Sequence, residues 1–248
     1  MNGNMPAVLV TRPRPASEAL AQRLAEAGYV PIVEPLLSII PTNAPRPVNR
    51  GIAAVMITST NSFAVLQEKK SAVADVLKLP CFCVGPRTAE HARQFGFEQV
   101  EYADSDSRAL AQLIMQRLHK PAAILHIAGS DTEGTGHAEL AAQGYRVSVW
   151  PVYKAIAADD LSASTVVLLK TGKIDAIVVF SPRAAQTLAD VLVKSELEAC
   201  CARLSAICLS EAVLKPLKRF NWLQIAAPVV PTEDGLVACL QKVCPVIS

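Results

Sequence analysis

The 248-residue sequence has few aromatic residues and no marked excess of either charge. Aromatic residues make up 5% of the chain, and 24 Lys and Arg stand against 22 Asp and Glu, a formal net charge of +2. Nucleic-acid-binding proteins usually carry a basic stripe, and those that bind single strands also present aromatic stacking platforms. We therefore expect no nucleic-acid partner.

Long apolar runs are missing as well, although apolar residues make up 51% of the chain. Strings such as residues 124–128 and 174–180 are far shorter than the roughly 20 apolar residues that span a bilayer. Residues 1–6 have neither the charged region nor the apolar region of a signal peptide. We expect a cytoplasmic protein that has a substantial core and no membrane contact.

The seven cysteines lack the paired spacings of a zinc site. Cys81 and Cys83 form no CxxC pair, nor do Cys200 and Cys201, and no histidine cluster complements them. Small buried thiols in a reducing cytosol explain these residues better. We expect no metal ion and no cofactor.

Familiar catalytic signatures are also absent. Residues 129–136 contain three glycines, but neither the Lys-Ser/Thr of a P-loop nor the spacing of a dinucleotide-binding loop. The histidines form no HExxH motif, and no GxSxG motif surrounds a serine. His126 lies in a predicted strand and is interpreted as structural. An enzyme with this sequence would have to act through binding and positioning.

What the chain does contain is an internal repeat. Segments of one copy recur in the same order in the second copy, at offsets of 116, 122 and 125 residues. The matching segments are 27–35 with 143–151, 52–59 with 174–181, and 95–100 with 220–225. Each match is weak alone, but the shared order favours duplication of one unit.

Each copy alternates short Val- and Ile-rich runs with helical patterns, which is typical of buried parallel strands flanked by helices. This alternation predicts an α/β fold with open parallel sheets. Ligands of such sheets lie beyond the carboxyl ends of the strands. The residues that follow the predicted strands are small, hydroxylated, Gly or Pro, and three sites include Arg. They would let an anion reach helix N-termini, although capping alone explains any single one.

Tyr153 interrupts the repeat, because its counterpart at an offset of 116 is Leu37. A tyrosine therefore stands where the duplication predicts only a packing residue. A buried structural tyrosine and a functional one fit this position equally well.

Taken in order, these strings resemble the uroporphyrinogen-III synthase family, from about residue 7 to residue 243. The strings that carry the resemblance are Val8–Pro13, Thr58–Asn61, Val84–Ala89, Val152–Tyr153, Phe180–Pro182 and Pro231–Thr232. Two positions depart from the family pattern. Ala128 stands where the family often has Arg before Gly129, and Ser210 replaces only approximately the threonine of a second Gly-x-x-Thr turn.

The resemblance implies two similar parallel-sheet α/β domains, flavodoxin-like, joined by a two-stranded β-ladder hinge. One domain would hold residues 1–36 and 156–248, and the other residues 40–150. The connecting ladder would pair residues 36–40 with 151–156. Such a hinge would allow the domains to open and close.

The resemblance also implies a reaction of tetrapyrrole (porphyrin and haem) biosynthesis. The family is a hydro-lyase that converts linear hydroxymethylbilane, which carries eight carboxylates, into uroporphyrinogen III with loss of water and inversion of the D ring. Tyr153 would assist departure of the hydroxyl group. The substrate would lie in the interdomain cleft. The substrate-binding residues implied are Thr11, Arg12, Ser59, Asn61, Gly85, Arg87, Thr88, Gly129, Ser181, Pro182, Arg183, Ser210 and Thr232.

As partners beyond the substrate, the resemblance implies a transient contact with the preceding deaminase, and we expect a monomer. Two other classes have a related architecture. A two-lobed α/β small-ligand binding or sensor protein is the alternative, although such proteins are usually exported. A sugar-phosphate isomerase-type domain should show a clearer phosphate loop or a Glu/His pair.

Overall fold

The computed structural model describes residues 5–48, 51–104, 106–132 and 135–246. The chain divides into two compact units, unit 1 (residues 1–38 and 156–248) and unit 2 (residues 39–155). Residues 1–4 of the N-terminal segment and residues 133–134 of the glycine-containing segment lie outside the described residues.

Strands and helices alternate along most of the described chain. The strands are β1 (Ala7–Val10), β2 (Val30–Val33), β3 (Leu37–Pro41), β4 (Ile52–Ile57), β5 (Pro80–Val84), β6 (Gln99–Ala103), β7 (Ala123–Gly129), β8 (Arg146–Ala157), β9 (Ala176–Val179), β10 (Ser205–Cys208) and β11 (Gln224–Ala226). The α-helices are α1 (Ala16–Glu26), α2 (Asn61–Leu66), α3 (Pro86–Phe95), α4 (Ser107–Arg117), α5 (Thr135–Ala142), α6 (Ala163–Lys170), α7 (Pro182–Lys194), α8 (Glu211–Leu214) and α9 (Glu233–Val243).

Unit 1 is built on a parallel sheet with the strand order β2-β1-β9-β10-β11. Its central strands are apolar on both faces, as a sheet covered on both sides requires. Leu9 packs with side chains of α7 on one face, and Val8 packs with side chains of α1 and α9 on the other. Counted along the unit, the strand order is 2-1-3-4-5, that of flavodoxin-like sheets.

Unit 2 contains the strand order β8-β7-β4-β5-β6, again parallel, and β3 adds beside β8. Leu125 packs with side chains of α2 and α3 on one face of this sheet, and Ile124 packs with side chains of α4 and α5 on the other. The unit boundary falls within β3 and within β8, the neighbouring strands that contain most of residues 36–40 and 151–156. The predicted α/β class with parallel sheets is confirmed.

The strand registers confirm the internal repeat. Each of three strand pairings in unit 1 recurs in unit 2 with both partners displaced by the offsets found in the sequence. The matching pairs are Ala7–Val30 with Ala123–Arg146, Val8–Ala176 with Ile124–Ala54, and Ser205–Gln224 with Pro80–Gln99. The two sheets therefore have the same backbone plan, residue for residue, along their main strands.

Each sheet combines strands from both copies of the repeat. Unit 1 takes β1 and β2 from the first copy and β9, β10 and β11 from the second, and unit 2 takes the complementary set. A side-chain hydrogen bond repeats in the same way. The Tyr29 hydroxyl donates to the Cys244 carbonyl at the end of α9 (2.8 Å), and the Tyr145 hydroxyl donates to the Leu118 carbonyl at the end of α4 (2.7 Å). Each tyrosine thereby provides a hydrogen-bond donor for a carbonyl at the C-terminal end of a helix, where carbonyls have no partner within the helix.

Candidate functional site

In unit 1, hydroxyl groups cap the helices that follow the strands. Ser181 is the N-cap of α7 and accepts from the Ala184 N–H (3.2 Å), with Pro182 in the first turn. Thr232 caps α9 and accepts from the Gly235 N–H (3.1 Å). Capping therefore accounts for both side chains, and it leaves their O–H groups able to donate to an anion at the same helix ends.

Ser210 is also an N-cap, of the short helix α8, but its hydroxyl makes no capping hydrogen bond. It lines an open concavity of about 380 Å³ with Glu211, residues 227–229 and Pro231. At the offset of 125, Ser210 corresponds to Gly85, the N-cap of α3, and Val213 corresponds to Thr88. The interpretation of Ser210 as a substitute for the threonine hydroxyl is therefore corrected, because the threonine position holds a buried valine.

Arg12 lies at the carboxyl end of β1 in an internal ion pair. Its Nη1 atom is 2.5 Å from the Glu233 carboxylate, and its guanidinium lies over the Phe180 ring, 4.3 Å from the centroid. Its neighbour Thr11 is fully buried and donates to the Val178 carbonyl (2.7 Å). Thr11 therefore stabilises the pairing of β1 with β9 from inside the core. Arg183, in the first turn of α7, is exposed.

In unit 2, Gly85 has φ of +77° and ψ of 152°, a backbone conformation that favours glycine, and it places Pro86 at the start of α3. Arg87 is exposed there, whereas Thr88 is buried. The preceding strand β4 ends near Ser59, whose hydroxyl accepts from the Asn61 N–H (3.3 Å). Both segments lie at the carboxyl ends of β4 and β5, and their role in binding stays a prediction.

Tyr153 lies on Gly129, its register partner in β7. A Cβ atom at Gly129 would be 2.8 Å from two ring carbons of Tyr153, so only glycine admits the ring here. The tyrosine is 8% exposed and packs with the apolar cluster that contains Phe63 and Trp150. Its carbonyl accepts from the Ser130 N–H (2.8 Å), but its hydroxyl has no hydrogen-bond partner among the residues that the structure describes.

Sequence reasoning missed a chain of three polar side chains in unit 2. His126, fully buried in β7, approaches the Thr58 hydroxyl through Nε2 (3.2 Å) and His137 Nε2 through Nδ1 (2.7 Å). Burial, and then the neighbouring His137, lowers the pKa of His126 to about 3, so the ring is neutral. No local sequence pattern indicates the partners of His126, which lie 68 and 11 residues away.

The family model described as Uroporphyrinogen-III synthase HemD matches residues 18–238. The chain belongs to the uroporphyrinogen-III synthase family. The resemblance inferred from the sequence, and the enzyme of tetrapyrrole biosynthesis that it implied, are thereby confirmed. Among curated proteins, none matches the sequence.

Two solved structures of uroporphyrinogen-III synthases share this fold. The synthetase from Helicobacter pylori aligns with a TM-score of 0.63 at 15% identity, covering 97% of this chain and 100% of that one. A mutant synthase from the extremely thermophilic bacterium Thermus thermophilus aligns with a TM-score of 0.57 at 16% identity, covering 96% of this chain and 98% of that one. The α/β architecture with two parallel sheets is thus that of solved uroporphyrinogen-III synthases.

Membrane spans and metal sites are two further kinds of feature that the fold could contain. In the described parts of the chain, no helix is long and apolar enough to cross a membrane. Among the same residues, no cluster of three or more His, Cys, Asp or Glu side chains could hold a metal ion.

Proposed function

We propose that this chain closes hydroxymethylbilane to uroporphyrinogen III, with loss of water and inversion of the D ring. The observation that carries the proposal is the family match over residues 18–238. We propose further that strand-end residues of both units bind the substrate. This placement follows the rule that ligands of parallel sheets lie beyond the carboxyl ends of the strands.

Binding of eight carboxylates by a chain of net charge +2 calls for more than arginine side chains. The N-termini of α3, α7 and α9 supply backbone N–H groups and the positive end of the helix dipole. Ser181 and Thr232 at these ends add O–H donors, and the exposed Arg87 and Arg183 add charge-assisted hydrogen bonds. Arg12, held by Glu233, would contribute mainly through the local field.

We assign departure of the hydroxyl group to Tyr153. The C–O bond of the hydroxymethyl group breaks, the oxygen leaves as water with the proton that Tyr153 donates, and an azafulvene cation remains. The substituted α-carbon of the D ring attacks this cation and gives a spiro intermediate. The bond from that carbon to the bridge of ring C then breaks and re-forms at the free α-carbon of the D ring, and the proton lost from this carbon returns to Tyr153. Two features support this role for Tyr153: its ring packs closely on Gly129, where a Cβ atom would clash with it, and no described residue competes for its hydroxyl.

Positioning would supply the rest of the rate, because the free bilane also closes spontaneously to the uninverted isomer. Holding the reacting ends in one arrangement can contribute up to about 7–11 kcal/mol. Many weak contacts at strand ends can achieve this, so no single carboxylate contact should be indispensable.

The experiment is an isomer analysis. Bilane generated in situ is incubated with the purified protein, the products are oxidised, and isomers I and III are separated by chromatography. Isomer III in excess over the spontaneous reaction is expected. Isomer I alone would contradict the proposed reaction and would leave the small-ligand binding alternative.

We also propose that the reaction takes place in the cytoplasm. The seven cysteines are all free thiols, which suits a reducing compartment. The monomeric state and the contact with the preceding deaminase stay predictions.

A further inference from the structure

The chain of polar side chains from His137 through His126 to Thr58 ends beside residues proposed to bind substrate. Thr58 follows β4 and immediately precedes Ser59, and it is partly exposed. His126 is fully buried in the adjacent strand β7, and His137 is half-buried in the first turn of α5. The two rings meet nearly at right angles (87°), with their centroids 4.8 Å apart.

A neutral imidazole has one N–H group, so His126 must donate at one of its two contacts and accept at the other. If His137 donates, His126 accepts at Nδ1 and donates from Nε2 to the Thr58 oxygen. The Thr58 O–H is then available to a further acceptor. If His137 accepts, His126 takes the Thr58 O–H, and Thr58 offers only lone pairs.

Protonation of His137 leaves only the first of these two arrangements, because a charged imidazole donates from both nitrogens. His126 must then accept from His137 at Nδ1. His137 gains a proton before His126: burial lowers the pKa of both rings, but His137 is half-buried and His126 is fully buried. Three charged groups lie on the elements around α5. Glu139 accepts from Arg108 (2.6 Å), Asp106 caps α4, and Asp131, two residues after β7, takes part in a further interaction.

We propose that His137 and His126 are positioning residues that set the direction of the Thr58 hydroxyl, so that a protonated His137 makes Thr58 a donor to a substrate carboxylate. This inference rests on the proposed function for the identity of the anion. It predicts that carboxylate binding at Thr58 and proton uptake by His137 favour each other, since each stabilises the same orientation of the chain.

The first test needs no substrate. Nitrogen NMR of the imidazoles is recorded on the full-length protein between about pH 8 and pH 5. As His137 becomes charged, His126 should stay neutral with its proton on Nε2. A proton on His126 Nδ1 at low pH, or His126 nitrogens that do not respond to His137, would overturn the proposal.

The second test is kinetic. Thr58→Val should raise KM for the bilane about tenfold, the usual worth of one hydrogen bond to a charged group, with kcat nearly unchanged. Thr58→Ser should restore KM. In the unchanged protein KM should fall as the pH is lowered through the pKa of His137, and His137→Gln should abolish this dependence. His119→Gln, a change at an exposed histidine of the same unit, is the matched control and should keep it.

The outcomes separate the two proposals. If the unchanged protein yields only isomer I, the proposed reaction is wrong, and the NMR result still decides the orientation of the chain. If isomer III forms but Thr58→Val keeps the original KM, or His137→Gln keeps the pH dependence, the positioning role is wrong. Thermal unfolding of each variant establishes that it is folded.

Discussion

Units 1 and 2 share their strand registers but differ in the side chains at equivalent positions. Where unit 2 has Tyr153 and His126, the repeat places Leu37 and Val10 in unit 1. Unit 1 has instead an arginine at the end of β1, paired with Glu233. Hydrogen-bonding registers and apolar contacts thus preserve the backbone plan, whereas the strand-end chemistry of each copy has diverged.

The largest expected effect of a difference between the units is at Tyr153, whose equivalent position in unit 1 is Leu37. Tyr153→Phe should lower turnover to isomer III about a hundredfold, the low end for loss of a proton donor, because the leaving group also departs spontaneously. The measurement is the rate of isomer III formation by the purified variant. Tyr145→Phe is the control, because that hydroxyl donates to the Leu118 carbonyl. Unchanged turnover by Tyr153→Phe would refute the assignment.

The second prediction concerns acid stability. His126 has a pKa of about 3 in the folded protein, against a usual value near 6.5, which the unfolded chain would have. Below about pH 6.5 the unfolded chain therefore binds a proton that the folded unit 2 does not, and stability falls as the pH is lowered toward 3. At about 1.4 kcal/mol per pH unit, unit 2 should lose about 2 kcal/mol between pH 6 and pH 4.5.

Amide hydrogen exchange, followed for the two units in parallel, measures this loss. His126→Val introduces the residue that unit 1 has at the equivalent position, and it should remove that part of the pH dependence in unit 2. An acid response of unit 2 that the substitution leaves intact would show that other groups cause it.

A third prediction concerns the ion pair that is particular to unit 1. Arg12 and Glu233 are 11% and 22% exposed at their side chains, so solvent screens them only in part. A double-mutant cycle with Arg12→Met and Glu233→Gln should give a coupling free energy of about 1–2 kcal/mol. The pair of Lys218 and Glu211, exposed on the same unit, should give less than about 0.5 kcal/mol. Equal couplings would mean that the Arg12 pair has no structural role.

The smallest predicted effect concerns a hydrogen bond that the two units share, and its energetic contribution should be the same in both. Tyr29→Phe and Tyr145→Phe each remove one hydrogen bond to the end of a helix, and each should cost about 1 kcal/mol in its own unit. Local unfolding free energies from hydrogen exchange provide the measurement. A marked difference between the two costs would show that the repeated hydrogen bond is not energetically equivalent.

Much of the fold could be predicted because its signals are local. Short Val- and Ile-rich runs between helical patterns indicate parallel strands, and the three offsets in the sequence are the same as those between the strand registers. Which copy supplies which strand was not predictable from these patterns, because packing between distant segments decides it. The family resemblance, and not the periodicity, predicts that each domain combines strands from both copies.

The candidate site could likewise be predicted only where its signals are local. Strand-end residues such as Ser181 could be located because each follows an apolar run. The partner of Arg12 lies 221 residues away, and that of Thr58 lies 68 residues away. No motif spacing can predict contacts between residues so far apart in the sequence. Ser210 was matched with the wrong position of its counterpart turn, because only the strand register shows that it aligns with Gly85.

The exchange of segments between the sheets also has a genetic consequence. A stop codon near the junction of the two copies would leave β1 and β2 without β9, β10 and β11, and β4, β5 and β6 without β7 and β8. Neither sheet would be complete, so such an allele would encode no intact unit. The part of the gene that encodes one copy of the repeat therefore does not encode one folded unit, and neither unit can be encoded without segments from both copies.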